Sequence, residues 1–337
     1  MADFDQFKLS VEALSGGSNT VLLDDRGMPS VMVNFPKLLI SDVIDGASDN
    51  IHPAFSVNSA EKSSIYVSKF QNIVLNDRAY SLPLKNPRTS VTFDEANTYC
   101  RNKGDGWALM PYSLWCAIAL WCRKNGTMPR GNNYWGADHS YTHEKGVAAT
   151  TETSSDYSAH IGETAHIYTG SGPDTWNHNW LPDGICDLNG NVYDRCAGMR
   201  LYNGEIQIIP YANCFDSEVS MDESSTYWKA ISSDGSLVDA GSDGTLKWDY
   251  VSSKLILTNE DVTYETGGSV GCTYQSMSIL DGLEAPELAK ALLLYPDEPG
   301  GDYGSDYHWA NLTGERMPIC GGYWRNGSNA GVFNVNL

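Results

Sequence analysis

The sequence predicts a loop-rich α+β domain, and three observations predict it. Glycine (32 residues), tryptophan (10) and tyrosine (19) are plentiful, so glycine turns set much of the path and aromatic rings supply much of the core. Two stretches, near 92–104 and 112–124, carry helical periodicity. The other apolar residues fall in short alternating or β-branched runs between turn residues, which read as strands. A chain of 337 residues suffices for one large domain with insertions. We read an N-terminal arm over 1–40 and a main domain over 41–337. The main domain carries insertions near 140–180 and 212–245 and a distinct C-terminal segment from about 300 to 337.

In chain order, residues 1 to about 30 are polar, with Ser-Gly-Gly-Ser at 15–18, and read as an extended arm or small strand unit. Residues 30–36 alternate as a strand, and 65–72 form a second one rich in β-formers. Thr92 and Glu95 have capping-box spacing, in which hydroxyl and carboxylate satisfy two end N–H groups. Phe93, Ala96 and Cys100 share one face of the helix that follows, and Lys103-Gly104 ends it. The next helix runs from about Tyr112 to Lys124 and stops at Asn125-Gly126. Its circumference is largely apolar, so it is the expected buried core helix.

Residues 140–180 are rich in Ser, Thr, Gly and His and read as a long surface insertion. Glu205–Pro210 is a strand, and 246–250 pairs with 255–258 as a hairpin around Ser252-Ser253. A third helix starts at Pro286 and ends before Pro296.

The last stretch carries two kinds of position. Gly321, Gly322, Trp324, Gly327, Gly331 and Phe333 read as scaffold, because tight turns need permissive backbone and large rings hold a core. Between them stand Tyr323, Arg325, Asn326, Ser328, Asn329, Asn334 and Asn336, with Cys320 just before. This set has the chemistry of an antibody-like contact surface. Tyr303, Asp306, Tyr307 and His308 lie in the preceding Gly/Tyr/Asp loop and are expected to share that surface. The plainer reading is that Asn, Ser and Tyr between glycines are ordinary loop residues.

The run Gly321-Gly322-Tyr323-Trp324-Arg325-Asn326-Gly327, continuing to Ala330-Gly331-Val332-Phe333, resembles the variable region of diversity-generating retroelement proteins. These are receptor binders of phages and archaeal viruses built on a C-type lectin fold. In that family Asn codons are altered at their adenines. Such changes reach Tyr, Ser, Asp, His, Cys, Arg and Gly but never Trp, Met, Glu, Gln or Lys. All the contact positions pass this filter, whereas Trp324, Met317 and Glu315 fail it and belong to the scaffold. The chain departs from the family at Cys320, where Arg is usual.

A second resemblance covers more of the chain. Residues 90–100, Trp107–Pro111, Gly131-Asn132-Asn133-Tyr134-Trp135-Gly136 and Asp183–Asp194 look like the formylglycine-generating-enzyme and sulfatase-modifying-factor domain, itself a C-type lectin elaboration. Together the two resemblances span roughly 40–337. They imply a C-type-lectin-like fold in which two helices flank a twisted, mostly antiparallel sheet. One fold hosts many functions, so activity has to be argued from the site. A formylglycine-type oxidase needs a copper-binding cysteine pair after Gly-Gly-x-Trp, and no cysteine follows Cys320. The expectation is a non-catalytic ligand-binding protein. A structural virion component is the other alternative.

Composition bounds the partners. Acids outnumber bases 42 to 22, for a net charge of −20, which argues against nucleic acid and anionic membranes. No apolar run is long enough to span a bilayer, and no signal peptide is visible at the N-terminus. The expected location is a virion or the host cytoplasm before assembly. The expected partner is a protein or glycan on a host or target cell, with homo-oligomerisation left open. The eight scattered cysteines read as buried reduced thiols, although Cys186 and Cys196 could close a loop. No cofactor is required. Asp187, Asn189, Asn191 and Asp194 resemble the start of a calcium loop, but an EF-hand would need Glu at position 198, which is Gly198. The set therefore reads either as a tight turn satisfying buried backbone or as a structural calcium site. His139-x-x-x-His143-Glu144 has metal spacing but sits in a loop, where solvated histidines are the simpler account.

Overall fold

The structure, a computed structural model, describes residues 2–264 and 267–337. It is a mixed α+β arrangement of few helices and several sheets. Of the stretch read as an extended arm or small strand unit, the later part holds the strand Asn19–Leu23, and the first part is a helix, α1 (Ala2–Leu14), which was not expected. Its sequence carries no clean apolar stripe: Phe7, Leu9 and Leu14 are exposed, and Val11 packs against Val31, Phe70 and Cys186. The strands Asn19–Leu23, Pro29–Pro36 and Ser64–Ser68 form an antiparallel sheet that joins residues on both sides of position 40.

Helix α2 (Phe93–Arg101) begins at Thr92, and both halves of its capping box form. Phe93, Ala96 and Cys100 pack on a small cluster of Leu109, Ala197, Ile209, Cys214 and Trp228. Helix α3 (Tyr112–Asn125) ends on Gly126 in the left-handed region. It lies at the centre of the main core, with Leu114, Trp115, Ile118 and Leu120 each under 3% exposed. Helix α4 (Glu287–Ala291) follows Pro286 and leads into the buried run Leu292–Leu294.

An eight-stranded sheet gathers the middle of the chain. It contains the expected hairpin, Lys247–Val251 with Lys254–Thr258. Residues 229–231 and 237–239, inside the segment read as a second insertion, extend this sheet beside Glu205–Ile208, and Trp228 is buried below them. A five-stranded sheet holds the C-terminus. Its order is Val270–Thr273, Tyr307–Ala310, Gly331–Asn336, Ile319–Gly321, Asp194–Arg195. Among the described strands only two pairings are parallel, and one joins Tyr307–Ala310 to Gly331–Asn336. Trp115 of α3 donates its indole N–H to Val332 O at 2.8 Å, which ties the core helix to the central strand.

All eight cysteines are free thiols, so no bridge links Cys186 to Cys196. No helix among the described residues is long and apolar enough to cross a membrane.

Candidate functional site

Glycine creates the site. The strand Ile319–Gly321 breaks register between Cys320 and Gly321. Gly321 and Gly322 then take φ of +86° and +81°, and a Cβ on Gly321 would stand 2.8 Å from Leu188 O. The chain turns outward and runs through Tyr323–Asn329 before re-entering the sheet at Gly331. The turn is pinned from both sides. Asn326 Oδ1 accepts the Tyr323 amide at 2.9 Å, and Tyr323 O accepts the Asn326 amide at 3.0 Å. The Gly327 amide donates to Asn133 O at 2.9 Å, and the Trp135 amide donates to Trp324 O at 2.8 Å.

Ser328 is exposed, and Tyr323, Arg325, Asn326, Asn329, Asn336 and Tyr307 are half-buried. These keep some solvent exposure. Five candidates do not. Cys320, Tyr303, His308 and Asn334 are fully buried and Asp306 is 2% exposed, so the display expected of them is corrected. Tyr303 meets Phe333 edge-on and donates its hydroxyl to Asp297. His308 lies between Trp248 and Tyr274, and burial holds its imidazole down to about 3. Asn334 spends its amide N–H groups on Tyr307 O and Asn329 O. Asp306 accepts the Phe333 amide, and burial pushes its carboxyl well above the usual range. Burial likewise raises the Cys320 thiol. Of the two large scaffold rings, Phe333 is fully buried, while Trp324 is half-buried with its ring edge against His166.

The structure adds residues from the 140–180 insertion and its approach. Trp135 stacks on His160 with centroids 4.3 Å apart, and Tyr157 lies beside the same indole. Tyr193 stacks on Tyr323 at 5.1 Å, and burial raises its phenol to about 12. Glu152 is held below the usual carboxylate range by the amides of Ser154 and Thr153 and by the charge of Arg325. Burial lowers His166. Histidine and aromatic density in 134–168 was the available signal. No periodicity assigned those residues to a face.

The four residues considered for calcium are engaged by separate partners. Asp187 accepts the Gly170 amide, and burial pushes its carboxyl up to about 6. Asn189 donates to Pro129 O and accepts from Asn133. Asn191 accepts from Asn132 and the Ile167 amide and donates to Gln71. Asp194 accepts from Gln71, and burial raises it to about 7. These bonds satisfy buried polar groups around a turn in which Asp187 and Asn191 both have positive φ. His143 is exposed, and Glu144 is occupied by Arg130, Thr175 and Trp176. Among the described residues no group of three His, Cys, Asp or Glu side chains is placed to hold a metal ion.

A largely apolar cleft of about 720 Å³ lies between the three-stranded sheet, α2 and α3, with Tyr193 and Asp194 in its wall. None of the residues from Tyr323 to Asn336 lines it. The turn is therefore not the rim of that cleft. No protein-family model matches the chain, and no curated protein is similar to it.

Proposed function

We propose that this chain is a non-catalytic receptor-recognition protein with a C-type-lectin-like scaffold. In this reading the turn Tyr323–Asn329 and the neighbouring Asn336 offer exchangeable contacts to a protein or glycan on a host or target cell, as variable proteins of diversity-generating retroelements do. One observation carries the proposal. The turn leaves the sheet between two strands whose own residues are almost all buried, so its partly exposed side chains stand on a frame built by other residues. A frame ordered before binding keeps affinity that a disordered loop would lose. A surface that lines no part of the apolar cleft also suits a macromolecule better than an enclosed small ligand.

The experiment is a binding screen of the intact protein against target-cell surface extracts and glycan arrays. It is repeated with Ser328→Arg and Asn329→Asp. The reading predicts a binder whose signal falls at least tenfold in one of these variants while melting stays unchanged. Binding indifferent to every change between 323 and 336 would refute it. The nucleotide sequence gives an independent check: a nearby near-identical repeat that differs at adenines, beside a reverse transcriptase gene.

A further inference from the structure

Residues 151–164 form an arm. Its base is closed by the Thr151–Thr164 bridge, by the Glu152 amide donating to Glu163 O, and by the Gly162 amide donating to Glu152 O. Beyond that base the arm is a single turn, Ser155–His160, with no buried residue of its own. Its internal bonds, from the Ser154 cap and the His160–Glu163 pair, are local and exposed, so its placement depends on what it rests against. What it rests on is Arg325.

The guanidinium of Arg325 lies over the Tyr157 ring with its central carbon 3.6 Å from the centroid, and it also faces Tyr323 and Trp324. Its Nε donates to the Tyr323 hydroxyl at 2.9 Å. Its Nη1 stands 3.5 Å from Glu152 Oε2, at the base of the arm. That oxygen is buried and has no hydrogen-bond partner, while the other carboxylate oxygen is taken by the amides of Thr153 and Ser154. Arg325 supplies the charge beside the Glu152 carboxylate, and the Trp324 indole, whose N–H is likewise unpaired, also favours its ionised form. The second fastening is Trp135, stacked on His160.

We infer that Arg325 is a positioning residue, a clasp that holds the 151–164 arm against the candidate contact surface. Exchanging residue 325 then changes that surface twice, at the residue itself and through the arm it releases. The consequence for ligand specificity rests on the recognition reading above; the clasp does not. A planar guanidinium suits the position, because its face stacks on the ring while its edge reaches Glu152 and Tyr323, whereas an ammonium is a compact point charge with no flat face to stack.

The test is amide hydrogen exchange on the full chain without ligand, reading residues 153–163 against α3 (112–125). Arg325→Ser and Tyr157→Ser are each expected to speed exchange in 153–163 about tenfold and to leave α3 unchanged. Arg325→Lys falls between parent and Arg325→Ser, and Tyr157→Phe, which keeps the ring, matches the parent. The inference is overturned if 153–163 exchanges at the parent rate in Arg325→Ser. It is also overturned if the parent arm already exchanges as free peptide, or if α3 accelerates in step with the arm. Because no ligand is used, this result stands or falls apart from the binding screen.

Discussion

The carboxylate of Asp306 accepts the amide hydrogen of Phe333 at 2.8 Å, directly beneath Gly331. A Cβ at position 331 would stand 2.1 and 2.2 Å from the two Asp306 oxygens. The glycine is therefore fixed by close approach, and the strand that closes the contact turn is seated on a buried side chain. Gly331→Ala should cost about 1–3 kcal/mol as overpacking. Asp306→Ala should cost about 1–3 kcal/mol by orphaning the Phe333 amide, while Asp306→Asn, which keeps an acceptor, should cost less. Urea unfolding of the three variants checks the order. An Asp306→Ala protein as stable as the parent would show that the carboxylate does not seat the strand.

Within the turn, stability separates frame from contact. A freely exchangeable Tyr323 would leave the melting temperature nearly unchanged when cut to alanine. Its stack on Tyr193 revises that expectation. Tyr323→Ala should lose about 0.5–1.5 kcal/mol from the aromatic pair, whereas Ser328→Ala, at an exposed site, should stay within about 0.5 kcal/mol of the parent. Thermal unfolding of both decides the matter. Equal effects at the two positions would mean that exposure does not sort this segment.

Asn334 is the contact candidate most changed by the structure. Its amide bridges Tyr307 O, in the neighbouring strand, and Asn329 O, at the end of the turn. Asn334→Ala should cost about 1 kcal/mol or more, because two part-buried carbonyls lose their donor and a fully buried side chain is removed. The expected readout is a lower urea midpoint with an unchanged slope. No loss of stability would return Asn334 to the exchangeable set.

Local chemistry explains what could be read in advance. The Thr92–Glu95 cap, the Ser252-Ser253 turn and the Gly126 stop each depend on residues a few positions apart, and each formed as expected. Helix α1 was not legible because its apolar residues make no stripe. His308 and Asn334 were misplaced for other reasons. His308 sits in a stretch read as a loop, whereas 307–310 is a strand whose alternate residues, His308 and Ala310, are buried. Asn334 sits in a strand buried on both faces, where alternation does not tell outward from inward. The arm residues Glu152, Tyr157 and His160 lie in irregular chain, where no period reports which way a side chain points. The outward turn was legible because its glycines and Trp324 mark it whatever packs beside it.

The buried imidazole gives a pH dependence of definite sign. Burial holds His308 down to about 3 in the folded protein, against an ordinary value near 6.5 in the unfolded chain. Between these values the unfolded state binds the proton and the folded state does not. Stability from this group is therefore full above about 6.5 and is lost as the pH falls toward 3. His52 and His178, each lowered to about 4 by burial, act in the same direction. Asp187 and Asp194, raised by burial, act in the opposite direction over the same range, because their folded forms take up protons first. The total slope is thus a sum of opposing parts, and the contribution of His308 is isolated by difference. Relative to the parent, His308→Phe should gain about 3 kcal/mol between pH 7 and pH 4, at roughly 1.4 kcal/mol per pH unit. Urea midpoints at the two pH values provide the comparison. Parallel curves for parent and variant would mean that the His308 ring takes up its proton inside the folded core.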